Sequence, residues 1–428
     1  MTSKESNNNI HFAGSPLKCC RACGNRNFTP LLNLGNQFFT GRFPHEDQPE
    51  PPAGPLELVI CSGEQGCGLV QLSHLFDATE MYGETYGYAS SVTETMRDHL
   101  SEIAGYVASW TQPTSGANIL DIGSNDGTLL NFLRDFNVNL YGIDPSAEQY
   151  RHRYPKPENL ITDFFSRAAI NKLNLDKKFQ IITSIAMFYD IDDPISFMEI
   201  IRDNLELDGV WLTEQSHAAA LINRLCYDSI CHEHSTYLTL KIMRDMARKV
   251  GLRIIDVRTN QINGGSFSVL FTREESSIQP NLAAVRRLDQ SEEIMELGKT
   301  NVWTNMALAV HAHRQEMISY LRKEKEKGSS IYGLGASTKG NVILQYCGID
   351  QEIMTAIMER DKRKVGLRTP GTSIPIISEE DGRNAEPDIF VVFPWHFRDE
   401  IIRREQEFLK NGGKLVFPLP EFTVVSKM

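Results

Sequence analysis

The chain has 428 residues, of which 41% are hydrophobic and 23% charged, and its formal net charge is −11. That length exceeds a usual single domain and predicts two or three globular units. An acidic chain without a concentrated basic stripe argues against nucleic acid as the main partner. No apolar run approaches the roughly 18 residues of a membrane span.

The N-terminus, MTSKESNNNIHFAGS, is polar. It lacks the apolar core of a secretion signal, which implies the cytoplasm, and residues 1–15 are expected to be disordered. Residues 16–80 carry five of the eight cysteines and a Pro-rich loop, PHEDQPEPPAGP, at 44–55. Cys20 and Cys23 have metal-ligand spacing. Cys61 and Cys67 form a wider pair, and Gly24 and Gly68 follow two of the four. Four thiolates suit a tetrahedral zinc that leaves no open position for catalysis, so its role is structural. A segment this poor in apolar residues folds poorly unaided, which favours zinc over unmetallated free cysteines. Cys19 leaves open which thiols bind.

Residues 82–110 are mostly helical in character. From Asn118 the pattern changes: ANILDIG is an apolar strand, SNDG a turn, TLLNFLRDF an amphipathic helix, VNLYGID a second strand and FQIITSIAM a third. Such alternation predicts a parallel α/β sheet. Residues 236–250 read as helix, and GLRIIDVRT and GSFSVLFTR as two late strands. Residues 281–327 form a long, mostly helical connector ending in RKEKEKG, a charge run that reads as an exposed helix face. A second alternation follows in SSIYGLG, ASTKGNVILQYC, MTAIMER, IFVVFPW and GGKLVFPLP. There are thus two α/β units, centred near Gly123 and Gly335, with no repeat at the level of residues. The expected domains are 1–80, 81–280 and 281–428.

The first glycine loop joins strand to helix through Asp121, Gly123, Asn125 and Gly127. Asp144 ends the next strand, 23 residues after Asp121, where an acid accepts hydrogen bonds from both ribose hydroxyls. A dinucleotide fingerprint reads GxGxxG; this loop reads GxNxG. It suits a ligand with an adenosine and no phosphates, such as S-adenosylmethionine (SAM), against the plainer reading of a generic strand–turn–helix. Asp163, in TDFF, sits where a side chain meets an adenine. The second loop carries Gly333, Gly335, Lys339, Gly340 and Asn341. Lys339 and the helix N-terminus make a phosphate cradle that is not a P-loop. Downstream, Arg360, Lys362, Arg363 and Lys364 add positive charge suited to a diphosphate; for Lys362 and Arg363 a solvated run is the better reading.

Residues 230–237 read ICHEHSTY. Locally, His232, Glu233 and His234 fit a metal site, an acid/base site or a buried polar cluster. The spacing that sets two zinc-binding histidines on one helix face, HExxH, is absent.

Several stretches together resemble one family, the SAM-dependent C-methyltransferases of nucleotide-linked 4-keto deoxysugars, which make branched-chain sugars. They are CRACG, YGYASS, DIGSNDGTLL, YGIDPS, YDSICHEHSTY, NGGSF, GLGASTKGN, PGTSIPI and FPWHF, in family order over about residues 19–420. The resemblance implies an α/β protein with a small zinc-binding N-terminal domain, a class I (Rossmann-like) methyltransferase domain and a second Rossmann-like C-terminal domain. It implies SAM as cofactor and a nucleotide-diphospho-sugar substrate, dTDP- or GDP-linked, with no motif naming the base. His234 matches the family's general base, with Glu233 in the site and Tyr88 by the reactants. NGGSF brings Asn263, Gly265 and Ser266 to the sugar nucleotide, joined by Gly335, Lys339, Asn341, Lys364 and His396.

The chain departs from the family at three places. Cys231 stands where many relatives carry a tyrosine expected at the sugar. Ala186 and Asp190 replace the usual Asn and His around the third strand. Five residues separate the second cysteine pair where two are usual. The expected chemistry is removal of a proton next to a ketone by His234, with Tyr88 or Tyr237 donating to the oxyanion, in a monomeric enzyme. The alternatives are an O- or N-methyltransferase and a non-catalytic SAM-binding scaffold.

Overall fold

The computed structural model describes residues 11–82 and 89–427. Tyr88 lies outside the described residues. Among the described residues no helix is long and apolar enough to cross a membrane.

The central sheet has seven strands in the order Leu252–Asn260, Ser266–Arg273, Leu205–Ser216, Phe179–Ile185, Asn118–Ile122, Asn139–Ile143 and Leu160–Ile161. The last five run parallel. Ser266–Arg273 is antiparallel to both of its neighbours. Asn118–Ile122 is buried at every position, as a strand covered by helices on both faces must be. Helix Glu94–Thr111 starts where the Thr93 side chain accepts from the Met96 amide, and it buries Leu100, Ile103, Ala104 and Val107. That 3–4–7 spacing puts them on one stripe, and each fully buried aliphatic side chain contributes about 1.5–3 kcal/mol. Helix Leu240–Val250 is capped by Thr239 and stopped by Gly251 at φ +78°.

The second α/β unit has six strands, Ile376–Ser378, Ala356–Glu359, Ile331–Leu334, Ile389–Val392, Lys414–Phe417 and Thr423–Val425, all parallel but the last. The two units repeat one arrangement at their first loop. The Gly123 amide donates to the Ile143 carbonyl and the Gly335 amide to the Met358 carbonyl, each at 2.8 Å. Asp144 accepts from the Asn125 amide at 2.9 Å, and Glu359 accepts from the Ala336 amide at 2.8 Å. An acid ending the second strand thus braces the first glycine loop in both.

The N-terminal sheet orders Phe28–Phe38, Ala53–Cys61 and Val70–Leu72, and its fourth strand is Thr236–Tyr237, from far along the chain. Residues 236 and 237 are therefore strand, not the start of a helix: their backbone is claimed by Gln71 and Val70 before the Thr239 cap opens the helix at Leu240. The expectation of disorder through residue 15 also fails from residue 11. The Ala13 amide donates to the Ala53 carbonyl, and Ser15–Pro16 pairs with His74–Leu75.

The connector is two helices, Leu282–Ile294 and Thr300–Glu326. The second buries Trp303, Met306, Val310, Met317 and Leu321 along one stripe. Its charged end is not wholly a solvated face. Glu324 is buried and accepts from Lys327 at 2.6 Å and Lys414 at 2.7 Å, which pins the helix to strand Lys414–Phe417.

Candidate active site

The four thiols of Cys20, Cys23, Cys61 and Cys67 lie within 4.8 Å of one another. Cys20 and Cys67 are 3.6 Å apart, and Cys23 and Cys61 3.5 Å. A tetrahedron of Zn–S bonds has sulfur–sulfur edges of about 3.8 Å, so the residues fit zinc without rearrangement. The ligands come from two turns closed by Gly24 at φ +77° and Gly68 at φ +84°. Cys19 is exposed and outside the cluster. The Asn25 amide donates to Cys61 at 3.4 Å. Arg21, between the first two thiols, is buried. It donates to the Leu72 and His74 carbonyls and to Asp192 at 3.2 Å.

A cavity of about 370 Å³ opens at the C-terminal end of the central parallel strands, the size and place of a small-molecule site. Asp121, Gly123, Asn125, Asp144, His234, Asn263 and Lys339 line it. Gly123 (φ +69°) and Gly127 (φ +75°) take backbone conformations that favour glycine, and a Cβ on Gly123 would sit 3.0 Å from Met187. Asp121 accepts from the Thr183 hydroxyl at 2.7 Å. Burial, with Asp144 adding and Thr183 opposing, pushes its carboxyl up to about 7. Asp144 also accepts from the Ser146 amide and hydroxyl, both at 2.7 Å, which fixes it over the loop. Asp163 turns away. Its carboxylate pairs with Lys172 at 2.8 Å on the surface, while Phe164 and Phe165 line the cavity.

His234 lines the same cavity. Its Nδ1 lies 2.7 Å from the Ser229 carbonyl, which can only accept, so Nδ1 carries the proton and Nε2 keeps a lone pair. Its ring packs edge-on against Tyr189 at 4.4 Å. Burial and then Lys339 bring its pKa down to about 4, with the Ser229 carbonyl opposing. The imidazole is therefore neutral at pH 7.

His232 points elsewhere. Its ring is clasped by Phe39 and Phe76, both at 4.8 Å, and its Nε2 is 3.2 Å from the Gly54 carbonyl. It docks the loop on the N-terminal sheet. Glu233 is buried, with Oε2 lacking a partner among the described residues, and burial raises its pKa. Neither Glu233, Cys231 nor Tyr237 lines the cavity among the described residues. Tyr237 donates to the Ser229 carbonyl at 3.4 Å.

Lys339 joins the two α/β units at the cavity, donating to the Asn263 carbonyl at 2.8 Å. Asn263 itself sits at φ +55°. Gly265, at φ +122°, has no room for a side chain: a Cβ would meet Ala220 at 2.5 Å. Ser266 closes the turn by donating to the Ile262 carbonyl at 3.0 Å. Asn341 is spent on the Thr40 carbonyl at 2.7 Å. Lys364 donates to the Ala336 carbonyl at 2.7 Å and lies over the Phe43 ring. His396 is half-buried beside Trp395, its pKa brought down to about 3 by desolvation and then Lys339. Gly335, at φ +85°, has no space for a Cβ against Pro394.

The sequence reading missed Tyr82, Glu214 and Glu359. Glu214 lines the cavity, held by His99 at 2.6 Å and by Ser268 and Asn260. Tyr82 donates to Asp190 at 2.7 Å, and both line the cavity. For Glu359 a signal existed, an acid ending the second strand of the second unit. For the other two none did, because their partners are distant in sequence.

Residues 20–82 match the zinc binding domain family, residues 88–257 a methyltransferase domain family, and residues 261–420 the C-methyltransferase C-terminal domain family. The chain is 25% identical to the C-methyltransferase NovU of Streptomyces niveus over 96% of this chain and 97% of that one. It is 21% identical to a ubiquinone biosynthesis O-methyltransferase of Cereibacter sphaeroides over 41% of this chain and 76% of that one. Among solved structures, the complex of the Haloferax volcanii Trm112 methyltransferase activator with a methyltransferase aligns at TM-score 0.35 and 16% identity. It covers 42% of this chain and 92% of that one. In chain order, the three family matches fill residues 20–420 almost without a gap, so the chain carries a zinc-binding domain, a methyltransferase domain and a C-methyltransferase C-terminal domain in succession.

Proposed function

We propose that the protein methylates the carbon next to the ketone of a nucleotide-linked 4-keto-6-deoxyhexose, at C-3. The observation that carries this reading is the tautomer of His234. Its Nδ1–H is committed to the Ser229 carbonyl, so a basic Nε2 is kept in the same cavity as the glycine loop and Asp144. A carbon nucleophile requires such a base, because the C–H must be broken before the new C–C bond forms. A hydroxyl acceptor would give its own proton to the same base, so exchange at the carbon is what separates the two.

Asp121, Asn125 and Asp144 would hold SAM, and Phe164 and Phe165 offer an apolar wall for its adenine. When bound, SAM supplies an electrophilic methyl group on a sulfonium. The protein does the rest. His234 takes the proton, the shared cavity sets the carbon in line with the methyl group, and burial excludes water from the enolate. Lys339 brings positive charge to the seam between the two α/β units, where a diphosphate would lie. The name of the Streptomyces niveus relative supports the C- over the O-methyl reading.

The test is exchange of solvent deuterium into C-3 of dTDP-, GDP- and CDP-linked 4-keto sugars, followed by mass spectrometry with SAM. Exchange and methylation that both vanish in His234→Ala support the reading. Methyl transfer without exchange would make the enzyme an O- or N-methyltransferase. Tight SAM binding with no turnover on any of these substrates would make it a scaffold.

A further inference from the structure

The wall that carries His234 holds a second proton-bearing group with no assigned role. Asp190 follows Tyr189, whose ring touches His234. The two chain segments run side by side: the Thr236 hydroxyl donates to the Tyr189 carbonyl at 3.1 Å and the Ser235 hydroxyl approaches the Asp190 carbonyl at 3.5 Å. The Asp190 carboxyl is divided in its bonding. Oδ2 accepts from the Tyr82 hydroxyl at 2.7 Å. Oδ1 is shielded from solvent and has no partner among the described residues, although the residue lines the cavity. A buried oxygen left without a partner costs about 1–3 kcal/mol, so a structural role alone does not account for it.

We infer that Asp190, oriented by Tyr82, is the group that donates through Oδ1 to the substrate's carbonyl oxygen while His234 deprotonates the neighbouring carbon; this rests on the function proposed above. Burial, with Glu233 adding its charge, holds the Asp190 carboxyl well above the usual carboxylate range. Of two carboxyls that make each other's ionisation harder, one is favoured to remain neutral. A neutral carboxylic acid in a water-poor pocket is a strong donor to a developing oxyanion.

The step balances. The C–H proton passes to His234 Nε2, and its bonding pair moves into the C–C–O unit. The oxygen charge is met by the Asp190 Oδ1 proton. The pair then returns from oxygen to carbon, which takes the methyl group, and the pair of the former methyl–sulfur bond stays on sulfur. The Asp190 proton goes back, and one net proton leaves through His234 to solvent.

The experiment compares Asp190→Asn, which keeps an N–H donor, with Asp190→Ala and Asp190→Leu, which have none, in full-length zinc-loaded protein. Deuterium exchange at C-3 without SAM reads the deprotonation step, and SAM affinity and melting temperature read the fold. We expect Asp190→Ala and Asp190→Leu to lose about 10²–10³-fold in exchange and in kcat, with SAM affinity within about twofold of wild type. Asp190→Asn should stay within about tenfold of wild type. Wild-type exchange in either donor-less variant overturns the inference. So does an Asp190→Asn loss as deep as that of Asp190→Ala, which would make Asp190 a base. If wild-type protein neither exchanges nor methylates any 4-keto sugar nucleotide, the function proposed above falls, and this inference with it.

Discussion

Thr236, two residues beyond His234, pairs with Gln71 in an antiparallel ladder, and the Gln71 side chain in turn accepts from the Arg21 amide at 3.2 Å. Arg21 lies between the zinc thiols Cys20 and Cys23. Its guanidinium reaches Asp192, which also accepts from the Ser235 hydroxyl at 3.3 Å. The candidate base is thus placed by the zinc-binding domain, not by the methyltransferase sheet alone.

Loss of zinc should therefore cost activity as well as order. Cys67→Ser, or zinc removal by a chelator, should abolish methylation while SAM still binds the central sheet. Metal content by mass spectrometry, SAM affinity by calorimetry and turnover separate the two. Unchanged turnover in metal-free protein would break the link.

Arg21→Met keeps the buried stem and removes the bonds to Asp192, Leu72 and His74. A catalytic group displaced by about 1 Å loses up to about 10²-fold in rate, so kcat should fall by about 10–10². SAM affinity should not move, because Arg21 does not line the cavity. A parallel loss of SAM binding would argue for general unfolding instead.

The acid limb of kcat/KM should lie well below the usual histidine value. Burial and Lys339 lower His234 to about 4, so the basic form dominates above that pH and activity is lost only as pH falls through it. Lys339→Met removes one of the two causes and should move the limb upward. A limb at about 6.5 in the wild type would show His234 to be solvated, against the placement described above.

Asp121 gives a pH effect on stability with a definite sign. Its folded pKa, about 7, lies above the unfolded carboxyl value of about 3.9. The stability it contributes is therefore full below about pH 4 and is lost as pH rises through 7. Asp121→Asn keeps the acceptor for Thr183 and cannot ionise. It should melt about 3 °C or more above wild type at pH 8 and level with it at pH 4. Equal melting temperatures at both pH values would count against a buried, raised carboxyl.

His232→Ala leaves a hole between Phe39 and Phe76 and should cost about 3 kcal/mol in denaturant unfolding, with no change in the acid limb. A shifted limb at unchanged stability would instead assign His232 to the chemistry.

Much of the frame was legible because it is local. A strand, two glycines and an acid at the end of the next strand are written within one βαβ unit, and so is each cysteine pair. Asp163 shows the converse: its place in TDFF says nothing about Lys172 capturing its carboxylate at the surface. The helix expected from residue 236 yielded to a two-residue strand, because a partner 165 positions earlier, Gln71, supplies the ladder. Glu324 looked solvated within RKEKEKG until Lys414 arrived from the last parallel strand.

The sequence by itself determined which chemistry the chain can carry: four thiols in two pairs, a SAM-type glycine loop with its acid, and an imidazole in HEH. Those depend on residue type and short spacing. Only the tertiary structure decided which histidine faces the cavity and which is clasped by Phe39 and Phe76. It also brought Asp190, Tyr82 and Lys339 to the wall around His234. These are long-range backbone pairings and side-chain burials, whose partners are set by how three separate sheets close on one another and not by any local pattern.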